Sequence, residues 1–372
     1  MTPGTPILDL LRNPFRGAGL PSAAGLAAGR VCADPSAPQA LLARCPVAAP
    51  TPLHDLPRLA RELGIDSVLL KDETARMGLG SFKALGAACV IAREAARRAD
   101  GPDGAAGPQR MAHALDGTVY ACASAGNHGL SVAAGARVFG ATAIIYLADS
   151  VPEAFAQRLR RLDAEVVRPG GDYERAMGCV AADAEANDWI LLSDSSWPGY
   201  VDLPARVMEG YLVMGAEVAD ALDRAPTHIF LQAGVGGLAA AMTALFRARW
   251  GDTPTIVVVE PAAAPALIDS VRAGRPVTAN GPASSMGRLD CKEPSHLALG
   301  ELARGADWFV TLGEAQAAAA VELLAAHDIA TTPSGAAGIA AAQHAAGERE
   351  SLGLSVKSRI LAFISEGRED AP

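Results

Sequence analysis

"THIFLQAGVGGLAAAMTALFRARWGDTPTIVVVEP", residues 227–261, contains a strand, a glycine cluster, a helix and a second strand in unbroken succession. "THIFLQAG" and "PTIVVVEP" are apolar almost throughout and lack the polar alternation of a half-solvated strand, so each reads as buried on both faces. The Ala-rich run between them has the length and composition of a helix. Buried strands joined by a helix are the unit of a parallel sheet, whose crossover helices cover both faces.

The pattern continues outward. "TVYACAS", "ATAIIYLA", "AEVVRPG", "DWILLSD", "DWFVTLG" and "RILAFISEG" read as further strands. "PEAFAQRLRRLDA", "DYERAMGCVAADAEAN", "LPARVMEGYLVMGAEVADALD" and "EAQAAAAVELLAAHD" read as helices between them, and the fold class is α/β. Two joints stand out, "RRADGPDGAAGPQR" before the first of these strands and "SDSSWPGYVDLP" after the fourth. The stretch between them, about 115 to 195, is long enough for a small sub-domain. No fixed-period repeat is visible, and the first 45 or so residues carry little signal.

With 372 residues, half of them apolar, the chain can bury a substantial core. A net charge of -9 without a clustered excess of Lys and Arg argues against a nucleic-acid binder. The one basic run, "RLRRLDAEVVR", reads as a solvated helix face. Cysteines at 32, 45, 89, 122, 179 and 291 lack the short paired spacing of a zinc site or redox pair, so no metal is expected. Reduced thiols, the absence of a leader pattern and the absence of a long apolar run give the expectation of a cytoplasmic protein.

Four segments carry chemistry. In "QAGVGGLAAA" a strand ends in glycines and a helix begins, which suits a phosphate: the backbone approaches closely and helix N–H groups point at the anion. Gly234, Gly236 and Ala239 also satisfy the loose dinucleotide pattern, with Glu260 placed as a ribose-binding acid, so a nicotinamide dehydrogenase is a rival reading; a plain tight turn is another. In "CASAGNHG" a strand runs into Ser124, Ala125, Gly126, Asn127, His128 and Gly129, whose small residues open backbone amides to a carboxylate, while Asn127 offers an amide donor to a phenolic oxygen. His128 alone reads as a packed or capping histidine. In "GLGSFKALGA" Lys83 follows a glycine-punctuated turn; it is either a surface lysine or a nucleophile whose pKa burial lowers. In "ATTPSGAAGIAAAQ" Ser334 stands where it would cap a helix or face a neutral ring nitrogen.

In this order "GSFKALG", "SAGNHG", "GVGGL" and "TPSGAAG" resemble the fold type II, tryptophan synthase β-like, pyridoxal-phosphate enzymes over roughly residues 50 to 368. "RMGLGSFKALGA", "DSSWPGYVDLPARVMEGY", "MGRLDCKEPS" and "FISEGRED" are similar to the diaminopropionate ammonia-lyases within that group. The resemblance implies two open, mostly parallel sheets flanked by helices, with a large cofactor-binding domain of residues 1–85 and 200–372 and a small mobile domain of 86–199 inserted in it. It implies a homodimer and pyridoxal 5'-phosphate as cofactor. Lys83 would hold the cofactor covalently and move the Cα proton. Gly234, Val235, Gly236 and Gly237 would cradle its phosphate, Asn127 would bond the ring 3′ oxygen, and Ser334 would face the pyridine nitrogen. Ser124, Ala125, Gly126 and Asn127 would receive the substrate carboxylate.

One position departs from the pattern. Relatives carry an aspartate before the Gly-Asn-His run, acting as a base on one face of the substrate, and here that residue is Ala125. The second family carboxylate corresponds to Asp194, which reads equally as a turn cap. The implied reaction is β-elimination from a small amino acid such as 2,3-diaminopropionate, giving a 2-oxo acid and ammonia. Dehydration of serine, threonine or hydroxyaspartate, β-replacement, and a non-catalytic binding protein of the same fold are the alternatives.

Overall fold

All eight strands expected from the apolar runs form, and three more join them. The computed structural model describes residues 9–101 and 105–368; residues 102–104 of the first joint and the last two residues of "FISEGRED" lie outside that range. The strands are β1 (Asp9–Arg12), β2 (Leu53–Asp55), β3 (Ser67–Asp72), β4 (Val119–Ala123), β5 (Thr142–Tyr146), β6 (Glu165–Val167), β7 (Ile190–Leu191), β8 (His228–Gln232), β9 (Thr255–Pro261), β10 (Trp308–Leu312) and β11 (Arg359–Ile364).

They make two sheets, a seven-stranded one in the order β1-β10-β9-β8-β11-β3-β2 and a four-stranded one in the order β6-β5-β4-β7. Every pairing is parallel except at the two edges of the larger sheet, where β1 and β2 run antiparallel to their neighbours. All five residues of β8 and the last six of β9 are buried, as central strands covered by helices on both faces must be.

Part of the first 45 residues has a defined structural role. β1 closes one edge, and Asn13 beyond it is buried, its amide donating to the carbonyls of Ala303 at 2.8 Å and Ala306 at 2.6 Å. These lie at the end of the helix His296–Gly305, where carbonyls lack intrahelical partners.

Five loops leave the carboxyl ends of strands: the turn bearing Lys83 beyond β3, Ser124–Asn127 after β4, Asp194 after β7, Gly234–Gly237 after β8 and Glu366 after β11. In open α/β sheets that end is where ligands bind, since strand ends and helix starts converge there. The Lys83 loop is held from behind by a buried charge network. Arg76, 1% exposed, makes paired hydrogen bonds to Glu73 and to Glu217, all of 2.7–2.8 Å, and Lys71 donates to Glu217 at 2.5 Å. Two cations and two carboxylates balance, so no charge is left unpaired within this network.

The helix Asp202–Ala221 approaches the Lys83 turn so closely that a Cβ on Gly210 would lie 2.0 Å from the Leu85 carbonyl oxygen. Gly210→Ala is therefore expected to destabilise by about 2 kcal/mol, because only a backbone shift relieves the clash. Gly178→Ala, on an exposed helix face with open space around it, should instead stabilise by about 0.5–1 kcal/mol. Urea midpoints of the two variants against the parent check both signs.

Candidate active site

Lys83 is presented by a short 3-10 turn, Phe82–Leu85, separated by Gly86 from the helix Ala87–Ala99. Left-handed Met77, Gly78 and Gly80 bend the chain into it. The turn is stitched to the end of β11: Phe82 N–H donates to Ser365 O at 3.1 Å, and Gly367 N–H to Gly80 O at 2.9 Å. Phe82 is buried with its ring edge-on to Tyr211 at 4.8 Å, which leaves the next side chain pointing along the cleft. The chain has four lysines, at 71, 83, 292 and 357. Lys71 belongs to the buried network, Lys292 bonds two backbone carbonyls and Asp290, and Lys357 is exposed. Only Lys83 stands in the cleft, its side chain 21% exposed.

Lys83 Nζ donates directly to Asp194 Oδ2. Burial pushes the amine's pKa down, as the sequence suggests, but the Asp194 carboxylate outweighs burial and the net shift is upward. Asp194 mirrors this: burial pushes its carboxyl up, and the Lys83 ammonium brings it well below the usual range. Asp194 is not the turn cap; Ser193 Oγ takes that part, accepting from Ser195 N–H at 3.2 Å. His128 is buried, its Nε2 bonded to Leu192 O at 2.8 Å and its pKa lowered by burial. It packs the start of its helix beside Asp194.

The glycine loop fits a phosphate. The helix Gly237–Trp250 begins at Gly236, which has φ +101° and supplies no side-chain cap, so its first N–H groups face the loop. A Cβ on Gly236 would meet Ala298 at 3.0 Å, and one on Gly234 would meet Cys291 Sγ at 3.0 Å and Arg288 O at 3.1 Å. Glu260 does not serve a ribose. It is buried and accepts from Leu267 N–H at 2.7 Å and Ile268 N–H at 2.8 Å, with burial pushing its carboxyl up to about 8 against those two donors. The dinucleotide reading loses its acid.

Ser124 Oγ accepts from Gly126 N–H at 3.3 Å and Gly129 N–H at 3.1 Å, folding the loop over the start of the helix Asn127–Val138. Asn127 Nδ2 donates to Glu366 Oε2. Ser334 is buried at the second position of the helix Pro333–His344, but it does not cap it. Thr332 does, accepting from Gly335 N–H at 3.0 Å, while Ser334 Oγ accepts from Arg288 N–H at 3.1 Å. The hydroxyl of Ser334 is thereby oriented by backbone and suits a neutral ring nitrogen.

Four further residues belong to the site. Tyr211 lies with its ring 5.7 Å from Lys83 Nζ and 3.6 Å from where a Gly237 Cβ would stand, and its buried hydroxyl has no hydrogen-bond partner. Cys291, Arg288 and Glu366 join the glycine loop, Ser334 and Asn127 from behind. All four fall in segments quoted above, "MEGY", "MGRLDCKEPS" and "FISEGRED"; no residue-type rule gave them a role before the loops were seen together. A cavity of about 510 Å³ is lined by Ser195–Trp197 with Arg275 and His296; Lys83 and the glycine loop do not line it.

The ion pair makes a pH prediction. In the ligand-free parent the lowered Asp194 adds stability above about pH 4, lost as pH falls. In Lys83→Met, burial, the largest influence on Asp194, is opposed only by His128 and a backbone hydrogen bond and raises its pKa, so that protein loses stability as pH rises. The gap between the two unfolding free energies should widen from pH 4 to pH 7, to roughly 3 kcal/mol; a gap independent of pH contradicts the pairing.

Comparisons with known proteins agree with this geometry. Over 296 residues the chain is 30% identical to a diaminopropionate ammonia-lyase of Salmonella typhimurium, spanning 76% of this chain and 73% of that protein. It is 27% identical over 231 residues to a probable D-serine dehydratase of Rhizobium etli, spanning 58% of this chain and 50% of that protein. The fold superimposes with a TM-score of 0.85, at 25% identity and over 98% of this chain and 96% of the other, on Escherichia coli diaminopropionate ammonia-lyase in complex with an aminoacrylate-PLP azomethine reaction intermediate. Lys83, the amide loop, the glycine loop and Ser334 all lie within residues 45–366, the span that matches the pyridoxal-phosphate dependent enzyme family, and the chain belongs to that family, with the fold type II architecture of the diaminopropionate ammonia-lyases.

Proposed function

We propose that this pyridoxal-phosphate enzyme catalyses β-elimination from a small 2-amino acid, releasing a 2-oxo acid and ammonia. The observation that carries the reading is the direct contact of Lys83 Nζ with Asp194, between a phosphate-binding glycine loop and a carboxylate-binding amide loop. Lys83 would hold the cofactor covalently; Gly234–Gly237 would hold its phosphate, Asn127 would donate to its 3′ oxygen, and Ser334 would face its pyridine nitrogen. Bound pyridoxal phosphate supplies an electron sink for the carbanion at Cα.

The remaining steps belong to the protein. Amides of Ser124–Asn127 fix the substrate carboxylate and so set which Cα bond faces Lys83. The freed Lys83 amine takes the Cα proton, and Asp194 stabilises the ammonium that results and orients it toward Cβ, where the proton assists the leaving group. Phe82 and Tyr211 pack against the Lys83 stem and keep water from it. Release of the enamine and its hydrolysis complete the reaction.

The leaving group is an amine, as in 2,3-diaminopropionate, or a hydroxyl, as in serine, threonine or hydroxyaspartate. Ala125 supports the second: it provides no carboxylate to attract a β-ammonium. Residues 86–199 are proposed to move as a unit against 1–85 and 200–372, since they carry the amide loop and Asp194 while the larger segments carry Lys83 and the glycine loop. Six free thiols suit a reducing cytoplasm, and a homodimer follows the family resemblance. Among the described residues no helix is long and apolar enough to cross a membrane.

Paired measurement of 2-oxo acid and ammonia tests the reaction. Diaminopropionate must yield two molecules of ammonia per 2-oxo acid and serine one. Lys83→Ala should cut turnover by at least about 1,000-fold and Asp194→Asn by about 10- to 100-fold. No 2-oxo acid from any of these amino acids, with cofactor bound, would leave the elimination reading without support and favour the non-catalytic one.

A further inference from the structure

The carboxylate that meets Lys83 is carried on a loop with little sheet to hold it. β7 has two residues, both half-buried, and pairs with β4 at two positions, Ile190 with Tyr120 and Leu191 with Ala121. Asp194 stands three residues beyond. Tyr200 shapes the loop from within: its hydroxyl accepts from Ser193 N–H at 3.0 Å and donates to Leu191 O at 2.8 Å. Those bonds fold the loop on itself and do not set where it lies relative to the larger sheet.

Ser196 attaches the loop to the larger body. It is 1% exposed, and each of its polar atoms is bonded to the segment Ser295–Leu297, which begins 99 residues further along the chain. Its N–H donates to Ser295 Oγ at 3.1 Å, and its carbonyl accepts from His296 N–H at 3.0 Å. Its hydroxyl accepts from Leu297 N–H at 2.9 Å and lies 2.7 Å from Ser295 Oγ. Ser295 is buried at the N-cap position of the helix His296–Gly305, yet its side chain makes no bond to its own helix. A serine there ordinarily accepts from the second or third helical N–H. Here Ser196 does so from outside, and the Ser295 hydroxyl is turned to Ser196 instead. The backbone of Ser295 is in turn fixed to the glycine loop, its N–H donating to Val235 O at 3.0 Å. Hydrogen bonds therefore run from the glycine loop through Ser295 and Ser196 to within two residues of Asp194.

Both serines are shielded from water, so a sideways shift of the loop would strand several donors and acceptors at once. The helix they end on is itself buried along Leu297–Leu299 and forms a fixed platform. Coulomb attraction falls with separation, so an ion pair is strongest when both charges are held at contact.

We propose that Ser196 and Ser295 are positioning residues: their paired hydroxyls hold Asp194 in contact with Lys83, so that removing the Ser295 hydroxyl weakens the ion pair as well as the fold. The effect on turnover rests on the elimination reading; the effect on the ion pair does not.

Two measurements separate this role from a purely structural clamp. The first is a double-mutant cycle on urea unfolding of the full chain without cofactor at pH 7, with Lys83→Met, Asp194→Asn and their combination, run in the parent and again in Ser295→Ala. The coupling free energy between the two charges should fall by more than about half in Ser295→Ala. A clamp that only supports the fold lowers all the unfolding free energies together and leaves the coupling unchanged. The second is turnover by the holoenzyme with serine or 2,3-diaminopropionate, whichever reacts faster. Ser295→Ala should lower kcat about 3- to 10-fold with KM within about twofold of the parent, and should lower it less than about twofold further in Asp194→Asn.

If Ser295→Ala does not fold, Ser295→Cys, which keeps the shape of the side chain and weakens its hydrogen bonds, enters the same comparisons. An unchanged coupling, or kcat losses that multiply independently, overturns the proposal. If neither amino acid gives a 2-oxo acid, the elimination reading loses its support and the cycle alone decides: a weakened coupling supports the positioning role, and an intact one refutes it.

Discussion

The contact of the Lys83 ammonium with the Asp194 carboxylate sets the geometry of the cleft. Lys83 is delivered from beyond β3 of the seven-stranded sheet and Asp194 from the end of β7 in the four-stranded one, so this single ion pair spans the gap between the two layers. Each charge is mostly withdrawn from water and depends on the other; either one alone would shift its pKa toward neutrality. The pairing holds the amine in place, and in the proposed reaction the same carboxylate would stabilise the amine's charge during turnover.

Rigidity behind the amine comes from the network of Lys71, Glu73, Arg76 and Glu217. It ties β3, the loop to Lys83 and the helix Asp202–Ala221 through charge-assisted hydrogen bonds largely shielded from water. The close approach at Gly210 fixes the same helix against the Lys83 turn from the other side. An amine proposed to hold the cofactor covalently needs such a frame, because small displacements of a reacting group cost large factors in rate.

The sequence revealed this fold unevenly, for physical reasons. Strands buried on both faces, such as β8 and β9, declare themselves as continuous apolar runs, and glycine loops between strand and helix mark the anion end of the sheet. β1 and β2 are short edge strands of three or four residues, each half-buried or exposed, so neither periodicity nor apolarity marks them. Lys83, Asp194, Asn127, Ser334 and the glycine loop were legible because each lies in an ordered motif. Tyr211, Arg288, Cys291 and Glu366 were not, because their meaning comes from segments distant in sequence, such as Asn127 and Glu366, 239 residues apart, meeting at one end of two sheets. Local reasoning also misjudged two details: the cap at Pro333–His344 is Thr332 and not Ser334, and the Lys83 pKa moves up because its partner lies 111 residues away.

Borohydride reduction of the holoenzyme, followed by peptide mapping, tests the central claim most directly, since reduction turns a carbon–nitrogen double bond between lysine and cofactor into a permanent mark. The account predicts a single phosphopyridoxyl group on the peptide containing Lys83. A mark on Lys71, Lys292 or Lys357, or none at all on a protein shown to contain bound cofactor, would contradict it.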